Sequence, residues 1–497
     1  MSDRTKQAGL ISGADSFRFL IKTVIGIVLA RLLSPGDYGS YRQLFLIYTS
    51  FSALLLLGIP QSLLYFLPKA GNEQEQRKII ARTVNLISVL GIIFAAALML
   101  LRGSIAVLLN NPELKNLLVI YAVYPIMLFV TQLYSSIMLG LGKVANAARF
   151  TIFAIFCDAV VVLGVAWFSR DLVWITSAVV VSAMLQWLYV QIELRKFLSV
   201  IEFDYSGLKM QMRYCLPLGL SSIIGVLTIQ LDKFVISGYF SPEQFAIFSV
   251  GAMELPFIGI LTNSVNAVLL PALSKAVGSG GAKRSSEQTR DALLIYRASI
   301  RKNALIIFPL SIFCFLYARQ IITFLYSEQY MASAFYFRIY LFSVIVRFAS
   351  YGIIFQAFNR TKVILYNSIL VLVANLALNL ILVRRMGMAG PALATVCITY
   401  ISIAAYLLFM KYNLGLSLKA IFPVLQLWKT IIAGFGAGLL LWLLPSWTSN
   451  LVLALSSGAV LFFAVFLILA YGVGAVLPYD VSVVMDSLKA IRKRVWG

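Results

Sequence analysis

Apolar runs of about twenty residues follow one another along nearly the whole chain, parted by short polar turns. A helix needs about 20 residues to cross ~30 Å of hydrocarbon. Backbone held in lipid must satisfy its own N–H and C=O groups. The runs are continuously apolar rather than alternating, which excludes barrel strands. This pattern fixes the fold class: an all-α polytopic membrane protein. Composition agrees, with 61% of the 497 residues hydrophobic and 12% charged. A soluble domain is only ~45–50% apolar.

The pattern predicts about fourteen transmembrane helices, over 10–33, 41–67, 79–101, 116–140, 148–168, 173–194, 213–239, 244–272, 303–325, 332–358, 363–383, 389–411, 424–445 and 451–477. Turns such as Ser34-Pro35-Gly36 and Asn110-Asn111-Pro112 separate them. The longest gap, 274–302, reads as a polar, flexible surface loop. Residues 1–9 are polar, and the first apolar run continues without a small-residue cleavage site, so no cleaved leader is expected.

Net charge is +22. In a chain of spans this excess reads as topology rather than nucleic-acid binding, because Lys and Arg collect in cytoplasmic loops. With the N-terminus inside, most of them fall on one side, and both termini are cytoplasmic. The chain has no histidine, so proton chemistry falls to Asp or Glu. Its four cysteines lie inside apolar runs without metal spacing. No cofactor and no firm metal site are expected.

The chain also repeats. Ser34-Pro35-Gly36-Asp37-Tyr38 joins helices 1 and 2, and Ser241-Pro242-Glu243-Gln244-Phe245 joins helices 7 and 8. Leu67-Pro68-Lys69-Ala70 faces Leu273-Ser274-Lys275-Ala276 at nearly the same offset. Six helices separate the copies, which predicts two six-helix lobes in parallel repeat around a central cavity, plus two extra C-terminal helices. The lobes are 1–205 and 206–412. Residues 413–497 hold helices 13 and 14 and a basic cytoplasmic tail, either an amphipathic surface helix or an ordinary basic flank.

Several ionisable residues stand inside the spans, where burial costs from about 3 to over 10 kcal/mol. They include Arg18 and Lys22 in helix 1, Asp158 in helix 5, Asp232 and Lys233 in helix 7, Glu254 in helix 8 and Arg347 in helix 10. Each is a candidate functional residue.

Three stretches point to a family: Leu29-Ala-Arg-Leu-Leu-Ser-Pro-Gly-Asp-Tyr-Gly39; Asp232-Lys233 with Phe248-Ser-Val-Gly-Ala-Met-Glu-Leu-Pro256; and Gln356-Ala-Phe-Asn-Arg-Thr-Lys362 with Asn375-Leu-Ala-Leu-Asn379 and Gly387-Met-Ala-Gly-Pro-Ala-Leu-Ala-Thr395. Through them the chain resembles the polysaccharide (O-antigen type) flippases of the multidrug/oligosaccharidyl-lipid/polysaccharide exporter superfamily. The resemblance implies translocation of an undecaprenyl-diphosphate-linked glycan from the cytoplasmic to the periplasmic leaflet of the bacterial inner membrane, by alternating access around helices 1, 2, 7 and 8. Its implied partners are that lipid-linked glycan, membrane lipids and other polysaccharide assembly proteins. In relatives, helices 13 and 14 form a groove suited to a long lipid tail.

Given that resemblance, Arg18 and Lys22, four apart on one helix face, read as cavity cations for the diphosphate or as residues snorkelling to the cytoplasmic surface. Arg42, Lys233 and Arg347 extend the cationic set. Arg42 reads also as an interface anchor, and Arg347 also as the ion-pair partner of Asp232 or Glu254. In the related lipid II flippases a sodium site uses positions that match Asp232, Asn375, Asn379 and Thr395. Asn379 replaces a carboxylate, and Lys233 adds a positive charge, so the coupling ion is left as H+ or Na+. Glu254 before Pro256 reads as a gate or a packing kink, and Asp158 as the first lobe's buried acid. Two other readings stand beside this one: a polymerase or ligase acting on the same lipid, against which the short outer loops argue, and a drug/cation antiporter, against which helices 13 and 14 argue.

Overall fold

The computed structural model describes residues 3–197, 205–253, 255–277, 286–443 and 450–477. All regular structure among them is helical. Ten helices are long and apolar enough to cross a membrane, and three bent pairs raise the count to as many as thirteen. The segment outside that count is the polar-ended helix 1, Asp3–Leu32. The protein is an integral, multi-pass membrane protein, and the count is compatible with the fourteen segments expected.

Local chemistry sets the helix ends. Ser34 caps helix 2 (Pro35–Leu56): its hydroxyl accepts from the Asp37 N–H at 3.1 Å, with Pro35 in the first turn where no N–H is needed. Asn72 caps helix 3 (Glu73–Leu108) by accepting from the Glu75 N–H at 2.8 Å, and the Glu75 carboxylate accepts from the Gly71 N–H at 2.8 Å. Asp171 caps helix 6 (Leu172–Leu194) and Asn450 caps helix 14 (Leu451–Gly472) in the same way.

Several spans are broken. Helix 2 bends by 42° into Ile59–Lys69, through Leu57 and Gly58 in left-handed conformation. Helix 4 bends by 48° between Leu114–Tyr121 and Tyr124–Gly140. Helix 5 (Val144–Ser169) carries a π turn over Asp158–Val162. Helix 8 stops at Gly251 and resumes at Pro256, so the proline expected to interrupt it opens its second half. Glu254 lies outside the described residues, as does the tail after residue 477.

Two expectations fail. The gap over 274–302 is not all loop: helix 8 runs to Val277, and helix 9 begins at Ser286 and continues to Leu316. Ala292, Tyr296, Ile300 and Ala304 recur every four residues and are buried, while charged residues occupy the other face. Helix 10 is not continuous. Ser333–Ile345 gives way to a 3-10 turn, Val346–Phe348, before Tyr351–Ala357. No proline marks this break. Side chains take up the carbonyls it frees: Asn303 donates to Phe348 O at 3.2 Å, Tyr296 to Ser350 O at 3.3 Å and Tyr351 to Val346 O at 3.2 Å.

The chain divides into two compact units. The first runs to Val250 and takes in Leu372–Ala394; the second holds Gly251–Val371 and the chain from Thr395. Helix 7 (Tyr205–Tyr239), which the sequence repeat assigns to the second lobe, packs in the first unit. It is fastened to helix 2 at both ends. Any Cβ on Gly219 would stand 2.5 Å from the Leu57 carbonyl, so only glycine lets helix 7 meet the apex of the bend. At the far end the two copies of the repeated turn touch. A Cβ on Gly39 would lie 1.9 Å from Pro242 O. Beside that contact Gln43 donates to Ser237 Oγ at 2.7 Å and Leu109 O at 3.0 Å, and Asn111 donates to Gln43 Oε1 at 2.6 Å.

Candidate functional site

The first unit holds two clusters of charged and polar groups. One is open. Arg18 and Lys22 stand one turn apart on helix 1; Arg18 is half-buried and Lys22 exposed. The charges that act on Lys22 are Arg18 and Asp158. Asp158 is half-buried rather than buried, and its partners are now defined: its Oδ1 accepts from Ser182 Oγ at 2.7 Å and Gln186 Nε2 at 2.8 Å. The π turn that begins at Asp158 is a local widening of the kind that recurs at functional sites.

Tyrosines surround these charges. Tyr121 and Tyr124 stack at 4.8 Å, and Tyr124 meets Tyr48 edge-on at 5.0 Å. Gln132 donates to the Tyr48 hydroxyl. Asp158 acts on Tyr41 and Tyr124, Arg18 on Tyr48, and Arg42 on Tyr38 and Tyr41. The structure thus brings Arg18, Arg42 and Asp158 within electrostatic reach of one aromatic group, and Lys22 within reach of Arg18 and Asp158. Sequence reasoning found the charges but missed the tyrosines. The signal lay in Tyr41 and Tyr48, seven apart on helix 2, where an apolar stripe would otherwise run.

The other cluster is sealed. Asp232 is 3% exposed, and Asn375 and Asn379 are 1% and 0%. The Asp232 carboxylate accepts from the Lys233 N–H at 2.7 Å, and the Lys233 ammonium lies 3.9 Å away while donating to Ile229 O at 3.3 Å. Asn375 of helix 11 (Lys362–Met386) donates to Thr228 O at 2.9 Å, one turn before Asp232. Asn379 donates to Asn375 O and Oδ1 at 2.9 and 2.8 Å. The Asn379 Oδ1 is buried without a hydrogen-bond partner.

Two predicted residues fall in the second unit. Thr395 is half-buried, and its carbonyl accepts from Thr399 Oγ1 at 2.8 Å. Arg347 is exposed in the 3-10 turn rather than set in mid-helix, because the break turns it out of the helical ladder. No group of three metal-ligating side chains occurs among the described residues.

The model of a family described as polysaccharide biosynthesis protein matches residues 28–335. The chain belongs to that family. It is 22% identical over 396 residues to a Shigella flexneri protein named "Putative O-antigen transporter", covering 76% of this chain and 91% of that protein. Among solved structures it superposes on a lipid II flippase, MurJ, in an inward closed conformation, with a TM-score of 0.75, 14% identity, and coverage of 93% of this chain and 98% of that one. An inward-facing multidrug resistance transporter of the MATE family and MOP superfamily gives a TM-score of 0.64 at 14% identity, covering 80% and 94%. At these identities the structures establish the fold alone. The resemblance read from the sequence motifs is borne out, and the named relatives of this family protein are transporters and flippases.

Proposed function

We propose that this protein flips an undecaprenyl-diphosphate-linked oligosaccharide from the cytoplasmic to the periplasmic leaflet of the inner membrane by alternating access, with both termini cytoplasmic. The open cluster of the first unit carries this reading. An accessible cation pair on helix 1 in so apolar a chain is costly unless an anion offsets it. Arg18 offers a bidentate fork and Lys22 a mobile point charge, a combination suited to a diphosphate. Asp158, tethered by Ser182 and Gln186, supplies a counter-charge to Lys22 when the site is empty. The tyrosines are buried and form the packed wall behind these charges.

The sealed cluster suits coupling. Asp232 is too enclosed for a large ligand but within reach of a proton or a bare ion. Lys233 places a positive charge beside it, which opposes a proton and Na+ alike, so the coupling ion is left as H+ or Na+. Asn379 Oδ1 is an acceptor in reserve for a hydrogen bond formed when Asp232 changes state.

Reconstitution tests the reading. Purified protein in liposomes should move a fluorescent undecaprenyl-diphosphate-linked oligosaccharide between leaflets, and Arg18→Ala should abolish the movement at normal protein level. Full movement by the Arg18→Ala protein refutes the role of the open cluster. Failure of wild type to move the lipid refutes the function.

A further inference from the structure

The second unit contains an apolar groove of about 400 Å3 between helices 9, 10 and 13. Helix 10 contributes Leu341, Phe342 and Ile345, and helix 13 (Val424–Leu443) the stripe from Phe435 to Trp442. Arg338 precedes Leu341, Phe342 and Ile345 by three, four and seven residues, so it stands on the same helix face, one turn beyond the groove. Its Nε donates to Phe315 O at 3.1 Å, near the end of helix 9, and its guanidinium lies 5.7 Å from the Phe315 ring, which lines the groove. The two terminal nitrogens of Arg338 take no partner among the described residues.

A pure hydrocarbon chain needs no cation at the mouth of the groove. A lipid with an anionic headgroup uses one. We propose that this groove binds one anionic glycerophospholipid of the surrounding bilayer. An acyl chain lies between helices 9, 10 and 13, and the phosphate rests on the terminal nitrogens of Arg338. The Nε–Phe315 bond fixes the guanidinium so that its remaining fork faces the mouth. Trp442, 72% exposed at the end of helix 13, stands where aromatic side chains meet headgroups. The site is separate from the substrate cations proposed above, which belong to the other unit.

Native mass spectrometry of the full chain, titrated with phosphatidylglycerol or phosphatidylcholine of identical chains, tests the proposal without any transport step. Wild type should bind phosphatidylglycerol about fivefold more tightly, the weight of one interfacial cation. Arg338→Gln should bring the ratio to about one with phosphatidylcholine unchanged, and Arg338→Lys should keep part of the preference. Gly438→Phe, which fills the groove, should weaken both lipids; its added Cβ already meets Leu316 at 3.2 Å. A melting curve in detergent controls for folding. Equal binding of the two lipids by wild type overturns the proposal, as does an Arg338→Gln protein that keeps its preference. Mole-for-mole displacement of phosphatidylglycerol by a polyprenyl diphosphate also overturns it and assigns the groove to the substrate tail.

Discussion

The two charge clusters of the first unit use similar residues under opposite conditions. Around Arg18 and Lys22 the charges are accessible and held at a distance from their counter-charge. Around Asp232, Asn375 and Asn379 they are enclosed, with Lys233 half-buried beside them, and nearly every polar atom is committed. The difference teaches what each can do. An accessible cluster can exchange water for a large anion. An enclosed one trades only in protons or small ions, since breaking its pairing exposes a charge to hydrocarbon.

Substitutions sharpen that contrast. The largest effect is expected from joint Arg18→Ala and Lys22→Ala. Two charge-assisted contacts at about 1.5–3 kcal/mol each predict at least about a hundredfold loss of flipping. The melting temperature should not move, because Lys22 is exposed. A large drop in melting temperature would show that these cations hold the fold together, and the contrast would collapse.

Asp232→Ala should do the reverse. It leaves the Lys233 ammonium without its carboxylate, at a cost of about 3 kcal/mol, and should lower thermal stability. Asp232→Asn should fold yet lose its response to imposed proton or sodium gradients in liposomes. An unchanged response would place coupling elsewhere.

Asp158→Asn comes next. The amide oxygen can still accept from Ser182, but the counter-charge to Lys22 disappears. Binding of the diphosphate lipid should tighten about fivefold and turnover should slow, as one charge at ~1 kcal/mol predicts. Weaker binding would mean that Asp158 does not oppose the substrate. The smallest effect belongs to Ser182→Ala, near ~0.6 kcal/mol of stability for one interhelical hydrogen bond, with transport intact.

Much of this was legible in the sequence. The apolar runs gave the helices, Ser34-Pro35-Gly36 marked the turn before helix 2, and the family motifs marked Asp232 and Asn375. What escaped is physical in origin. The start of helix 9 was hidden because a helix half in water carries charges that lower its mean hydropathy; only the four-residue spacing of Ala292, Tyr296 and Ile300 marks it. The break in helix 10 was hidden because its carbonyls are satisfied by Tyr296 and Asn303, some fifty residues earlier in sequence. Asp158 appeared alone because Ser182 and Gln186 are ordinary residues until helices 5 and 6 are packed together.

Helix 9 has a further consequence. Its 31 residues span roughly 46 Å, against ~30 Å of hydrocarbon. Lying wholly within the bilayer would require a tilt of nearly ~50°, beyond the ~40° limit of observed helices. Its first turns therefore stand in water, and Ala292, Tyr296 and Ile300 share a buried cluster with Leu273, Phe355 and Ile421 at helix ends. That cluster is held by water's exclusion of apolar surface, whereas the spans cohere by packing and hydrogen bonds alone. One chain is thus stabilised against two solvents. Its membrane-edge part should melt with the heat-capacity change and urea sensitivity of a soluble domain, and its buried spans should show little of either.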